Sequence, residues 1–347
     1  MNVQSIKDRL KNQADSSNKT VQQMQIYYGL ERTIYRISIS KYANHFVLKG
    51  GIFLYALFDK NYLRATTDID LLARKISNSE REMKTVFEEI FSQELDDGLV
   101  FDLDSLSVTS ITEFKDYHGL NVKIFAYLDR TQIAISIDIG YGDVIYPDSV
   151  EIEFSTILDN EVPKIQAYSI ETAIAEKLQT IVSNGFTNSR YKDFYDIYVL
   201  GNNYSINKEL LQEAIVETFK NRNTELSTNI NAFSPEFYND PVHITRWNSF
   251  VKKKRTEVSV SLEDTIKYIK ELVLPLILQW YLLILKTSDI TIITNNELLL
   301  KLYIQYLTIY LYPLLITLLM FFMHFKTFCS YHCYIIETYW SRLCIFD

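Results

Sequence analysis

Two aspartates one residue apart in an otherwise apolar run, Asp68-Ile69-Asp70-Leu71-Leu72, constrain this chain more than any other feature. The alternation reads as a strand, on which a period of two puts Asp68 and Asp70 on one face and Ile69 and Leu71 on the other, toward a core. The carboxylates then lie about 7 Å apart at Cα, and like charges that close shift each other's pKa unless a cation stands between them. Mg²⁺ suits such a place, because it takes a few carboxylate oxygens, keeps several waters and accepts the rest of its shell from phosphates. Taken alone, D-x-D describes two solvated aspartates on an edge strand equally well. Its weight comes from the segment before it, Phe46-Val47-Leu48-Lys49-Gly50-Gly51, a short apolar strand running into a glycine turn. Gly50 and Gly51 can take positive φ and bring backbone N–H groups to a phosphate at the start of a helix read over 52–58.

The surrounding pattern supplies a sheet and helices to hold these pieces. Apolar residues at helical spacing predict helices over 3–14 and 21–39, split by Asp15-Ser16-Ser17-Asn18, where Ser17 or Asn18 caps the second. A helix over 80–93 carries Met83, Val86, Phe87, Ile90 and Phe91 as its inner stripe. Alternating β-branched and aromatic residues predict strands over 106–112, 120–128 and 131–139. The last ends at Asp138-Ile139-Gly140, which reads equally as a strand-terminal aspartate entering a loop or as a third acid beside Asp68 and Asp70. With three acids on one site, two Mg²⁺ ions would clamp an in-line phosphoryl displacement.

Beyond Pro147 the pattern turns helical. An extended run over 151–158 and an exposed connection over 162–167 precede a helix that Ser169 opens and Asn184-Gly185 stops. Helices over 206–220 and 261–274 flank a polar irregular stretch over 221–240, and Pro275 ends the second of them. Between lies Arg190-Tyr191-Lys192-Asp193-Phe194-Tyr195-Asp196. Lys192 and Asp196 are four apart, so spacing alone reads as a surface ion-pair ladder.

Lys49-Gly50-Gly51 followed by Arg64-x-Thr66-Thr67-Asp68-Ile69-Asp70-Leu71 resembles the first motif of the nucleotidyltransferase superfamily shared with DNA polymerase β, in the form of the AbiEii/AbiGii toxin family. Ala173-x-x-Glu176-Lys177-Leu178 followed by Arg190-x-Lys192-Asp193-x-x-Asp196 is similar to that family's last motif. The resemblance covers about 46–275. It implies metal ligation by Asp68 and Asp70, with Asp138 as third ligand, and triphosphate binding at Gly50 and Gly51 with Lys49 and Arg64. It further implies that Glu176, Lys177, Arg190, Lys192, Asp193 and Asp196 serve activity. Lys177, Arg190 and Lys192 would face the triphosphate opposite the metals, and Asp193 or Asp196 would orient one of them or act as base. Ile52 departs from the pattern, standing where the family often has a hydroxyl residue. The activity implied is that of a Mg²⁺-dependent toxin of a toxin–antitoxin or abortive phage infection system. The donor would be an NTP, the acceptor in some relatives is the tRNA acceptor end, and a cognate antitoxin is the expected partner. A nucleotide-binding regulatory or interaction protein is the competing reading.

Composition sets outer bounds. At 347 residues two domains are the prior, and a net charge of −8 argues against a general nucleic-acid coat protein. Lys252-Lys253-Lys254-Arg255 is the only basic run. The N-terminal segment carries no apolar signal, and Cys329, Cys333 and Cys344 make no disulfide framework, so the expected location is cytoplasmic. The expected architecture is α+β, a nucleotidyltransferase-fold mixed sheet with flanking helices over 1–160 and a mainly helical domain over 161–275. A hydrophobic tail follows over 276–347. Its 302–323 segment lacks charge and is long enough to span a bilayer. An anchor, a buried helical subdomain and an out-of-frame extension all fit; the last is favoured, and membrane contact is not.

Overall fold

A computed structural model describes residues 2–17, 19–58, 66–111, 119–253 and 260–287. Met1–Val273 form one compact unit, and a second begins at Leu274, of which only the end of one helix is described. The chain opens with α1 (Val3–Ser16) and α2 (Val21–Ser38), then β1 (Phe46–Lys49), α3 (Gly50–Leu57), β2 (Ile69–Ala73) and α4 (Glu80–Phe91). Three long strands follow, β3 (Leu99–Ile111), β4 (Gly119–Leu128) and β5 (Thr131–Tyr141), then the short β6 (Val150–Glu153) and β7 (Lys164–Ala167). The described elements after β7 are helices, among them α5 (Ile170–Asn184), α6 (Tyr191–Asn203), α7 (Lys208–Asn221), α8 (Pro235–Tyr238), α9 (Pro241–Lys253) and α10 (Leu262–Thr287).

The described strands form a seven-stranded mixed sheet in the order β3-β4-β5-β2-β1-β7-β6. β2 joins β5 in parallel and β1 antiparallel, so the strand carrying Asp70 is flanked on both sides. Strand periodicity sorts the faces. On β5, Ile133, Ile135, Ile137 and Ile139 are buried, while Ala134, Ser136 and Asp138 alternate onto the other face. α2 covers the isoleucine face, with Gly29 against the Ile133 and Ile135 side chains; a Cβ there would lie 2.9 Å from Ile133 Cγ2. Gly29 weakens the helix by roughly 1 kcal/mol relative to alanine and in return lets α2 approach the sheet.

α2 carries charge into this core. Arg32, Arg36 and Asp97 are all about 1–2% exposed; Arg36 donates to both Asp97 oxygens at 2.6 and 3.2 Å, and Arg32 Nε donates at 3.0 Å. The pairing across 61 and 65 residues pins α2 to the loop that precedes β3.

Several sequence expectations need correction. Thr20, not Ser17 or Asn18, caps α2, in a capping box with Gln23. β3 begins at Leu99, seven residues before the expected 106, because its register shifts between Asp102 and Ser107 and breaks the alternation there. The connection over 162–167 contains β7, an inner strand with Ile165 and Ala167 buried. α10 runs through Pro275 to Thr287 instead of stopping before the proline. The stripe expected on α4 is the one found: Met83, Val86, Phe87, Ile90 and Phe91 are its buried residues. Among the described residues no helix is long and apolar enough to cross a membrane; the 302–323 segment lies outside them.

Candidate active site

Strand register assembles the site. Asp70 of β2 stands beside Asp138 of β5 on one side and Lys49 of β1 on the other, and Asn121 of β4 pairs with Asp138. Asn121, Asp138, Asp70 and Lys49 therefore form a row across four neighbouring strands. Asp68 sits just before β2, where Thr67 donates to its Oδ1 from both hydroxyl (2.8 Å) and backbone N–H (3.2 Å). One carboxylate oxygen each from Asp68, Asp70 and Asp138 lies within 4.8 Å of the others. Asn121 donates to Asp138 Oδ1 at 2.6 Å and fixes its direction.

These three acids suit a divalent cation on electrostatic grounds. Burial pushes the Asp70 pKa up, and the neighbouring Asp68 charge pushes it further; Lys49 and Lys192 oppose the shift and do not cancel it. A dication between the carboxylates would relieve that excess of negative charge, and hard oxygen donors match Mg²⁺.

The glycine turn packs against the same acids. Gly50 has φ +67°, and a Cβ built there would fall 1.9 Å from Asp70 Oδ2, so only glycine lets β1 enter α3 beside Asp70. Gly51 N–H donates to Asp70 Oδ2 at 3.3 Å. The N-terminus of α3 therefore faces the aspartates and whatever they hold.

A cavity of about 1000 Å³ opens over this end of the sheet. Lys49, Gly50, Gly51, Asp68 and Asp70 line one side; Glu176, Lys177, Arg190, Lys192 and Asp193 of the helical half line the other. Asp138 and Asp196 are not among its lining residues. On α5 and α6, Lys177 donates to Asp196 Oδ2 at 2.7 Å and to Asp193 Oδ1 at 3.5 Å, and Arg190 Nε donates to Asp193 Oδ2 at 2.8 Å. Asp193 and Asp196 are buried while Lys192 is exposed, so an inter-helix pairing replaces the surface ladder that the i,i+4 spacing suggests. Of the expected site residues, Arg64 lies outside the described ones. The others converge around the cavity or directly behind its walls.

Sequence reasoning missed Asp143 and Arg222. Lys49 Nζ donates to Asp143 Oδ2 (2.8 Å) and Glu176 Oε1 (2.9 Å); Arg222 Nη2 donates to Asp143 Oδ1 and Glu176 Oε1, both at 2.7 Å. Two cations and two acids thus close a ring in which each cation touches both acids. Burial opposes the Lys49 charge, but Glu176, Tyr168 and Asp143 outweigh it and hold its pKa well above the ordinary lysine value. Burial likewise raises Glu176 against the pull of Lys49, whereas Asp143, also disfavoured by burial, is held well below the usual carboxylate range by Lys49. Partners 46 to 127 residues apart give no local spacing that could have announced this ring.

A family model described as nucleotidyl transferase AbiEii toxin, type IV toxin–antitoxin system, matches residues 32–266. No curated protein matches the chain. Two Helicobacter pylori crystal structures are similar, JHP933 and a protein described as a candidate nucleotidyltransferase. Each is 16% identical at a TM-score of 0.40 and covers 72% of this chain, with 89% and 92% of the respective neighbour covered.

Proposed function

Because the chain belongs to the AbiEii family of nucleotidyl transferase toxins of type IV toxin–antitoxin systems, we propose that it transfers a nucleotide from an NTP to an acceptor with Mg²⁺ held by Asp68, Asp70 and Asp138. The observation that carries this reading is the convergence of three carboxylates within 4.8 Å, two of them, Asp68 and Asp70, on the wall of a cavity whose opposite wall supplies Lys177, Arg190 and Lys192. When bound, the ion would neutralise charge developing on the phosphate and favour ionisation of the attacking oxygen.

The chain's own groups do the rest. Gly50 and Gly51 offer the start of α3 to the phosphates. Lys177, Arg190 and Lys192 neutralise the triphosphate from the opposite wall, with Asp193 and Asp196 holding Lys177 in place. In this reading residues 1–160 and 161–275 act as two functional halves, one facing the metal and one facing the phosphates. The acceptor is an RNA, with the tRNA acceptor end the first to try, the inhibitory partner is a cognate antitoxin, and the setting is the cytoplasm, where both substrates reside.

The test is to incubate purified protein with each labelled NTP, Mg²⁺ and total RNA. Label should enter RNA and stay out when EDTA is present. Tight NTP binding with no incorporation under any condition would instead make the chain a nucleotide-binding regulator.

Lys192 gives a sharper check. It is exposed on α6, so Lys192→Ala should leave the melting temperature nearly unchanged. If Lys192 donates to phosphate oxygens as charge builds on them, its loss should slow transfer roughly a hundredfold, about 3 kcal/mol of barrier. A variant with wild-type rate would remove Lys192 from the site.

A further inference from the structure

We propose that Asp143 and Arg222 are positioning residues for this reaction, a matched pair that sets the charge and the direction of Lys49 beside Asp70. The inference rests on the nucleotidyl-transfer reading. Lys49 is the register partner of Asp70, and its positive charge acts on that aspartate from the β1 side. Yet its hydrogen bonds run to two other carboxylates, Asp143 at 2.8 Å and Glu176 at 2.9 Å. Two acids on one lysine would leave a net negative charge next to Asp68, Asp70 and Asp138, where an incoming triphosphate already meets three carboxylates.

Arg222 corrects the balance. Its guanidinium bonds Asp143 twice, at 2.7 and 3.0 Å, Glu176 at 2.7 Å and Gln179 at 2.8 Å. Asn221 adds a bond of 3.0 Å to the Gly142 carbonyl, so the Asp143 loop is clamped by two consecutive residues at the end of α7. Lys49, Glu176 and Arg222 all line the cavity. Partly buried ion networks are a poor source of stability, since well-packed apolar side chains of similar size do as well or better. A four-charge ring on the cavity wall is therefore better understood as setting charge than as holding the fold. With the ring closed its formal charge is zero and Lys49 has one direction.

Charge balance and mere structure make opposite claims about a double variant. Arg222→Gln leaves one net negative charge and two acids competing for Lys49; NTP affinity should fall and kcat/KM drop on the order of a hundredfold, as misplacement of a supporting group can cause. Arg222→Lys keeps the charge without the fork and should recover part of that loss. Asp143→Asn combined with Arg222→Gln restores neutrality and should transfer at least tenfold faster than Arg222→Gln alone, a difference of about 1.4 kcal/mol. If the ring only braces the fold, the double variant, having lost more bonds, would be worse than Arg222→Gln in melting temperature and in rate. The experiment measures kcat, KM and melting temperature for the four proteins with Mg²⁺ and each of the four NTPs, and NTP affinity by calorimetry. A double variant no better than Arg222→Gln, or an Arg222→Gln protein with normal affinity and rate, would overturn the assignment. Should the wild type turn over no NTP, the transfer reading fails, and calorimetry still decides this one: weakened NTP binding in Arg222→Gln regained in the double variant upholds it, and equal binding across the set overturns it.

Discussion

Asp70→Asn should reduce nucleotide transfer to background, a loss of about a thousandfold or more, equivalent to roughly 4 kcal/mol of transition-state stabilisation. The fold should survive, for a reason particular to this site. Burial and the charge of Asp68 raise the Asp70 pKa, so its ionised form costs stability at every pH above the value it has in the unfolded chain. Asparagine keeps the shape and can still accept from Gly51 N–H, while that cost disappears. Without divalent ions the variant should melt at or above the wild-type temperature. Addition of Mg²⁺ should stabilise the wild type by mass action and leave the variant unmoved. Measurable transfer by Asp70→Asn, or an equal Mg²⁺-induced rise in melting temperature, would take the metal away from this aspartate.

The second large effect is on stability. Asp97→Asn leaves the Arg32 and Arg36 charges buried without their carboxylate, and breaking such a group from one side typically costs about 3–5 kcal/mol. Against a total stability of roughly 5–15 kcal/mol this is a large share. The pH dependence carries a sign. Burial alone would raise the Asp97 pKa, but Arg36 and Arg32 outweigh it and hold the carboxyl below its ordinary value. Its contribution is therefore complete above the unfolded value, near pH 4, and drains away as pH falls through the folded one. Urea midpoints from pH 7 down to pH 3 should converge for wild type and variant as acid removes what the substitution has already removed. A difference at pH 7 below about 1 kcal/mol would mean that the arginines find other partners.

Local patterns in the sequence were legible where a short period decides the structure. The α4 stripe follows from helical spacing, and the direction of Asp70 and Asp138 follows from strand alternation against Ile69, Ile137 and Ile139. The acids were readable as candidates because each is a polar break in an apolar strand. What escaped is what the fold brings together from far apart. Arg222 lies just past α7 in a stretch that reads only as polar and irregular, and its bonds reach back 79 residues to Asp143. Arg32 and Arg36 look like solvated positions on an amphipathic helix until Asp97 arrives from another segment. β7 was hidden because four residues after a proline carry too little alternation to register, and its place beside β1 is set by tertiary pairing.

The cross-strand row has a consequence for insertions and deletions. Asn121, Asp138, Asp70 and Lys49 meet because β4, β5, β2 and β1 share one register. One residue added to the β4–β5 hairpin ahead of Asp138, if the strand slid to absorb it, would turn Asp138 into the isoleucine layer and an isoleucine toward the cation. Two added residues would keep every face and move the acid along its strand by about 7 Å, beyond the reach of the same ion. A change of length in that hairpin therefore erases the site where many point substitutions would only dull it, and the tight Asp129-Arg130 turn is as much part of the chemistry as the carboxylates it aligns.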